Sequence, residues 1–230
     1  MKTTFVYYFI QKTKSFNLIR LIMKKIVYWL VLAISFIACE KDDFSSVEGE
    51  QSPMGEVGNI VTSSSMTVAG VSSFSAEVVS LENGVSTYSG SAVVTSPTIK
   101  SILSNAPECT VEGDLVTGSG IKFKNTREGI EAVNGLDPGV IVKYDATVGD
   151  TYPIGNTGKS RKVVSRSSED DYQYGFFNIK VIKVEENTNK LGVNKITYWA
   201  NHRFGLVGIQ FEFDDGTTAK YPVYNRAEND

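Results

Sequence analysis

Histidine and cysteine are nearly absent from this sequence. Its 230 residues include one histidine, His202, and two cysteines, Cys39 and Cys109. Zinc centres are built from several histidine or cysteine ligands, so a chain of this composition excludes a typical one. We therefore expect neither a metal site nor another cofactor.

Common catalytic motifs are also missing. No Gly-x-Ser-x-Gly elbow occurs, and Gly118-Ser119-Gly120 lacks its spacing. Gly158-Lys159-Ser160 matches the end of a phosphate-binding loop, but Pro153 stands where that loop needs its first glycine. We interpret the fragment as a turn. His202 lies between two predicted strands, where histidine commonly has a capping or surface role, and no catalytic residue is predicted.

A secretory signal is present near the N-terminus. Met23-Lys24-Lys25 precedes an uncharged apolar run from Ile26 to Ile37, which ends at Ala38-Cys39. This order is that of a signal peptide, and the run is shorter than the roughly 20 residues that span a membrane. We predict that residues 1–38 are removed. Residues 1–22 contain scattered Lys and Arg, and we expect Met23 to be the natural start.

The tetrapeptide Phe36-Ile37-Ala38-Cys39 resembles the lipobox of bacterial lipoproteins. The resemblance implies that Cys39 becomes the N-terminal residue and carries a diacylglycerol thioether, usually with an N-acyl chain such as palmitate. Glu40-Lys41-Asp42-Asp43 is similar to the export signals of surface-exposed lipoproteins in Bacteroidetes. The resemblance therefore implies an outer-membrane protein, anchored through Cys39 on the periplasmic or the surface side.

The charge changes when the signal is removed. Residues 1–38 hold six of the 23 Lys and Arg and none of the 26 Asp and Glu, which leaves 17 basic and 26 acidic residues, a formal charge of −9. An acidic domain is a poor partner for the phosphates of nucleic acid or for anionic lipid. We expect no nucleic-acid binding, and membrane attachment through the acyl chains alone.

Residues 39–56 have the composition of a tether. They are acidic, contain Ser and Gly, and include few large apolar side chains, so they bury too little surface to offset the entropy of ordering. We predict a flexible acidic tether there and one β domain over 57–226. The turn-rich stretch 134–139 is the most plausible internal boundary.

The domain reads as β-structure almost throughout. Segments rich in Val, Thr, Ser and Tyr alternate with turn residues such as Glu82-Asn83-Gly84. Ser96-Pro97 begins the one credible short helix. Cys109 lies at the start of a strand in an acidic context, and we expect a buried, inert thiol. About a dozen strands with local connections predict an antiparallel sandwich or a curved, half-barrel-like sheet.

Aromatic residues concentrate at the C-terminal end. Eleven of the 17 aromatic residues beyond residue 38 follow residue 171. Val207, Ile209, Phe211 and Phe213 alternate with small or polar residues, which indicates a strand with one buried face. We predict a four-strand antiparallel meander over roughly 174–224.

These aromatic residues are also the candidate ligand site. Tyr172, Tyr174, Trp199 and Tyr224 lie close together in the predicted meander and could form a platform for sugar rings or an apolar groove for a lipid. Strand alternation places Tyr198 and Trp199 on opposite faces. The pattern is similar to that of half-barrel lipoprotein carriers of the periplasm, with no motif matched residue by residue.

Two hypotheses for the function follow. The first is a lipid-anchored envelope protein with a non-catalytic binding or structural role, whose ligand is a glycan, a lipid or a protein. The alternative is an envelope hydrolase that uses His202 or an Asp/Glu pair, since two carboxylates about 5 to 10 Å apart can hydrolyse a glycoside. Glu169-Asp170-Asp171 and Asp214-Asp215-Gly216 carry such carboxylates, but ordinary loop and turn chemistry also explains them.

Overall fold

The structure is a computed structural model that describes residues 46–64, 66–188 and 192–226. Within these ranges the chain forms sixteen β-strands, one short α-helix and one 3₁₀ turn, so the predicted all-β fold class is confirmed. The strands outnumber the predicted dozen because four of them are only three residues long. The predicted signal peptide, Cys39 and residues 39–45 of the tether lie outside the described residues.

The first sheet contains eight antiparallel strands and curls into a half-barrel. Its strand order is β16-β1-β2-β3-β5-β6-β7, and β4 pairs with the first half of β5. The strands are β1 (Ile60–Thr62), β2 (Val71–Glu82), β3 (Val85–Val94), β4 (Cys109–Glu112), β5 (Leu115–Asn125), β6 (Gly129–Ala132), β7 (Gly139–Lys143) and β16 (Tyr224–Arg226).

The second sheet contains six antiparallel strands in the order β15-β14-β13-β12-β9-β8. They are β8 (Thr151–Ile154), β9 (Lys159–Arg166), β12 (Ile182–Asn187), β13 (Val193–Asn201), β14 (Gly205–Phe213) and β15 (Thr218–Pro222). The last four are consecutive in the chain and in the sheet, which confirms the predicted C-terminal meander. A separate two-stranded ribbon consists of β10 (Tyr172–Tyr174) and β11 (Phe177–Ile179).

Local sequence signals act as expected at the turns. Asn83 and Gly84 join β2 and β3 with φ angles of 51° and 76°, the positive values that a two-residue hairpin loop requires. Helix α1 (Pro97–Leu103) begins after Ser96, whose hydroxyl accepts a hydrogen bond of 3.4 Å from the amide of Ile99. Both the turn and the helix are where the sequence predicted them.

The main core lies where the end of the first sheet meets the second sheet. Fifteen buried hydrophobic residues form one cluster. They include Ile130 and Val142 from the first sheet and Val163, Val184 and Ile196 from the second. Burying such side chains stabilises the fold by about 1.5–3 kcal/mol each. The side chains of β6 and β7 therefore pack directly against those of the second sheet and fill the space between them.

Residues 46–56, which the sequence assigns to the tether, instead pack against the first sheet. Val47 is 1% exposed and joins the main core, and its amide donates a 3.0 Å hydrogen bond to the Glu131 carboxylate. The amide of Ser52 donates to the carbonyl of Asn125 at 3.0 Å. The amino-acid composition does not predict this packing, because one buried valine and several backbone hydrogen bonds are enough to hold the segment against the sheet.

Two further features differ from the sequence-based expectations. The stretch 134–139 connects β6 and β7, which pair within the first sheet, so it is a loop and not an internal boundary. The four-strand meander begins at Ile182 and not near residue 174, because the chain leaves the ribbon for the second sheet at Lys180-Val181. This division between ribbon and sheet creates the site described next.

Candidate ligand-binding surface on the second sheet

The β10–β11 ribbon lies on the outer face of the second sheet. Gly175 and Phe176 form its two-residue loop, and Gly175 has a φ of 61°, a value that favours glycine. Alternation points Tyr172, Tyr174 and Ile179 toward the sheet and leaves Gln173 exposed. The ribbon thereby carries two of the predicted ligand residues onto the sheet.

A glycine in the sheet makes room for the first of these tyrosines. The Tyr172 hydroxyl lies 3.4 Å from the carbonyl oxygen of Val207. A Cβ atom at the next residue, Gly208, would lie 2.3 Å from the Tyr172 hydroxyl oxygen, far closer than atoms tolerate. Since Gly208 has no side chain, the tyrosine ring can lie directly against β14.

Trp199, on the neighbouring strand β13, completes the first half of the surface. It pairs with Gly208 across the two strands, and its ring centroid is 6.0 Å from that of Tyr172. The Lys220 ammonium nitrogen lies 4.4 Å from both ring centroids, within the range of cation–π attraction. Two aromatic rings and one cation therefore meet at a single point of the outer face.

The second half of the surface consists of Tyr174, Phe177, Phe204 and Tyr224. The Tyr174 ring centroid lies 5.0 Å from that of Phe204 and 5.3 Å from that of Tyr224. Phe177 is 5.9 Å from Tyr174 and 5.8 Å from Phe204. Such separations are those of favourable aromatic pairs. We call the six residues of both halves the aromatic surface: Tyr172, Tyr174, Phe177, Trp199, Phe204 and Tyr224.

Phe204 is positioned by the turn between β13 and β14. The side-chain oxygen of Asn201 accepts hydrogen bonds from the amides of Arg203 and Phe204, at 2.8 and 3.2 Å. The side-chain amide of Asn225 donates to the Phe204 carbonyl at 2.8 Å. These bonds fix the turn, so the Phe204 ring lies beside the ribbon. Arg203 in turn lies over the Phe204 ring, 5.3 Å from its centroid.

The tip of the ribbon is exposed and apolar. Phe176 is fully exposed, and Phe177 is 52% exposed. Tyr174, one residue before the loop, is only 8% exposed because it packs between Phe204 and Tyr224. The aromatic surface therefore runs from a buried residue, Tyr174, to the half-exposed Phe177, and Phe176 lies beyond it at the ribbon tip.

The lysines around the aromatic surface are not equivalent. Lys183 pairs with Glu185 at 2.8 Å, and Lys195 pairs with Glu212 at 3.0 Å. Lys220 has no carboxylate at ion-pair distance within the described residues. Burial, followed by the charge of Lys183, lowers the pKa of Lys220 below its ordinary value. Lys220 is thus a surface-exposed cation whose ammonium lies against two aromatic rings.

All four ligand residues named from the sequence lie in this surface. Tyr172, Tyr174, Trp199 and Tyr224 come together although they belong to three separate strands. Tyr198 lies on the opposite face of β13 and is buried in the main core, as alternation predicts. That these residues bind a ligand remains a prediction, and the lipidation site Cys39 lies outside the described residues.

Sequence reasoning missed Phe177, Phe204, Gly208 and Lys220 as parts of this site. Phe204 lies in a turn, and Gly208 appeared only as a small residue between apolar ones. Lys220 alternates with Ala219 and Tyr221, which would place it on the outer face, but the alternation does not say which residues of other strands lie beside it. The register of the strands shows which residues are its neighbours: Gln210 of β14 pairs with Lys220 of β15 on one side and with Thr197 of β13 on the other.

The residues considered for catalysis are all exposed and lie in turns or loops. His202 is exposed in the β13–β14 turn, and Asp214 and Asp215 are exposed in the β14–β15 turn. The hydroxyl and amide of Thr217 donate hydrogen bonds to Asp215 and lower the pKa of its carboxyl group, whereas a catalytic acid needs a raised one. Gly158-Lys159-Ser160 forms the end of a turn and the start of β9, as predicted.

Across 46–64, 66–188 and 192–226, no group of three or more His, Cys, Asp or Glu residues is arranged to hold a metal ion. Cys109 is half-buried and free, and burial, then the charge of Glu108, raises the pKa of its thiol. None of the helices in the described part of the chain has the length and hydrophobicity of a membrane span.

Comparisons with protein-family models, with curated protein sequences and with solved structures found no significant match to this chain.

Proposed function

We propose that this chain is a lipid-anchored protein of the bacterial cell envelope that binds a glycan, without catalysis, on the aromatic surface. The observation that carries the binding role is the meeting of the Tyr172 and Trp199 rings with Lys220 on an outer sheet face. Sugar rings pack their apolar C–H faces against aromatic side chains, while their hydroxyl groups bond to nearby polar groups.

A glycan suits this surface better than a lipid chain. An acyl chain needs an enclosed apolar groove, and the interior between the sheets is occupied by the core around Val142 and Val184. The aromatic surface lies on the outside of the sheet and is bordered by Lys183, Lys220 and Arg203. An extended ligand with apolar faces and many polar groups matches that arrangement.

The binding role is tested with a glycan array and two alanine variants of the lipidated protein in detergent. Trp199→Ala removes the largest ring of the aromatic surface, and we expect binding to fall about tenfold or more, since one stacked ring contributes about 1–3 kcal/mol. Phe74→Ala is the matched control because Phe74 is an exposed aromatic residue on β2 of the first sheet. Equal binding by both variants, or no binding by the wild type, would refute the proposal.

The anchor is tested separately, by labelling cells with a palmitate analogue. The proposal rests on the lipobox-like Phe36-Ile37-Ala38-Cys39. We expect the wild-type protein to take up the label and to sediment with outer membranes. The Cys39→Ala variant should lose both properties, and a variant that still took up label would show that the lipidation site is wrong.

A further inference from the structure

The aromatic surface contains a cation that has no counterion among the residues that the structure describes. Lys183, Lys195 and Lys220 all lie on the outer face of the meander, on β12, β13 and β15. The first two pair with glutamates. Lys220 has no acidic partner in the described ranges, and the groups nearest its ammonium are the rings of Tyr172 and Trp199.

This arrangement leaves room for an anion. Cation–π contacts at a partly exposed site are worth only about 0.5–1 kcal/mol, less than a charge-assisted hydrogen bond to a carboxylate or phosphate. Lys183 adds positive charge, with its ammonium 5.9 Å from the Trp199 ring centroid. An anion that reached Lys220 would offset both the desolvation and the repulsion from Lys183 that lower its pKa.

We infer that the ligand is an acidic glycan whose carboxylate or phosphate group pairs with Lys220 while an adjacent sugar ring contacts Trp199. This rests on the proposed glycan-binding function and specifies its ligand class. The Lys220 ammonium can bind an anion, and the two aromatic rings beside it can bind the sugar ring that carries this anion. Lys183 and Lys195 are not available to bind an anion in this way, because each already forms an ion pair with a glutamate.

An anionic membrane is the other surface that a lysine flanked by aromatic residues could meet. One observation favours the glycan. The unpaired charge belongs to Lys220 beside Tyr172 and Trp199, whereas the fully exposed apolar residue, Phe176, is at the ribbon tip. A membrane contact would use the tip and would not require Lys220.

The test is a glycan array in which each acidic glycan is paired with a neutral counterpart. Uronate oligosaccharides are paired with their methyl esters, and phosphorylated oligosaccharides with dephosphorylated forms, so the two pairs distinguish carboxylate from phosphate. We expect the wild-type protein to bind acidic members at least tenfold more tightly than their neutral counterparts. Raising the salt concentration from 50 to 500 mM should weaken the acidic members selectively.

Variants of Lys220 test whether this residue causes the preference for acidic glycans. Lys220→Gln should lower binding of acidic glycans about tenfold and leave neutral ones unchanged, since about 1.4 kcal/mol corresponds to a factor of ten. Lys220→Arg should retain the preference because it keeps the charge. Lys195→Gln is the control, as Lys195 lies on the same face but is paired with Glu212. Thermal unfolding of each variant checks that the fold is intact.

The outcomes separate this inference from the proposed function. Equal binding of acidic and neutral glycans, or an acidic preference that survives in Lys220→Gln, would overturn the inference and leave glycan binding standing. No binding of any glycan would overturn both. Binding to phosphatidylglycerol vesicles but to no glycan would assign the surface to a membrane, and it would overturn both as well.

Discussion

Arg161 and Glu186 lie opposite each other on β9 and β12, and their side chains form an ion pair inside the core. Nε of Arg161 is 2.9 Å from Oε2 of Glu186, and the two side chains are 1% and 2% exposed. Arg161 also donates hydrogen bonds to the carbonyls of Val140 at 3.1 Å and Asp137 at 2.7 Å. The Tyr198 hydroxyl donates to Glu186 at 3.2 Å. The pair thus connects the second sheet to the first.

Glu186→Gln should destabilise the protein by about 3–5 kcal/mol, because it leaves the Arg161 charge buried without a counterion. The measurement is the free energy of unfolding from urea titration. Glu212→Gln is the matched control, since the Lys195–Glu212 pair is partly exposed and such pairs contribute about 0–1 kcal/mol. A double variant, Arg161→Met with Glu186→Leu, should recover most of the loss; equal effects of the two Gln variants would contradict this account.

Gly208→Ala should displace Tyr172 and destabilise the protein by about 1–3 kcal/mol, the usual effect of overpacking. The new Cβ would lie 2.3 Å from the Tyr172 hydroxyl oxygen but 3.4 Å from the ring carbon that carries it. Tyr172→Phe removes the clashing oxygen, so the double variant should regain the stability of Tyr172→Phe alone. If the losses of unfolding free energy from Gly208→Ala and Tyr172→Phe simply added in the double variant, residues 208 and 172 would not be in contact.

Substitutions of Tyr174 and Phe176 in the ribbon should differ strongly in their effect on the stability of the fold. Tyr174→Ala should destabilise by about 3 kcal/mol because Tyr174 is 8% exposed and packs against Phe204 and Tyr224. Phe176→Ser should change stability by less than about 0.5 kcal/mol, since Phe176 contacts mainly water. A large loss of stability in Phe176→Ser would mean that the tip is packed.

Val47→Ala tests whether the segment at 46–56 belongs to the domain. Val47 is 1% exposed within the main core, whereas Val57 is 59% exposed. We expect Val47→Ala to lower the free energy of unfolding by about 2 kcal/mol and Val57→Ala to leave it within about 0.5 kcal/mol. If both variants matched the wild type, the segment would be a tether after all.

Stability should fall at alkaline pH because buried tyrosines resist ionisation. Burial raises the pKa of Tyr172 and of Tyr221 from 10.0 to about 12. A pKa that is higher in the folded state contributes stability below pH 10, and this contribution is lost as the pH rises through about 12. We expect the urea midpoint to decrease over this range, in parallel with the tyrosinate absorbance at 295 nm.

Tyr221→Phe provides the control for the pH dependence. The buried Tyr221 hydroxyl has no hydrogen-bond partner among the described residues, so its removal should not destabilise the protein at neutral pH. Because phenylalanine cannot ionise, the alkaline decrease should be smaller in this variant. An unchanged decrease would mean that other groups cause it.

Features that depend on neighbouring residues were predictable from the sequence. The Asn83-Gly84 hairpin and the Ser96 cap follow from local backbone chemistry. Alternation correctly gives the core face of β14 at Ile209, Phe211 and Phe213, and the same rule separates Tyr198 from Trp199. It is wrong for Val207, which packs with Tyr174 instead because the register shifts between Trp199 and Ala200. These signals determined the all-β class, the meander and the identity of four residues in the aromatic surface.

Tertiary structure alone decided which strands lie side by side. Arg161 and Glu186 are 25 residues apart in the chain, and no local pattern marks them as partners. Lys220 meets Trp199 because β13 and β15 flank β14, and it meets Tyr172 because the ribbon folds over Gly208. Alternation within a strand states which face a side chain occupies, but the register between strands follows from the packing of the whole core. The sequence therefore determined the aromatic residues of the candidate site, and the fold supplied its cation.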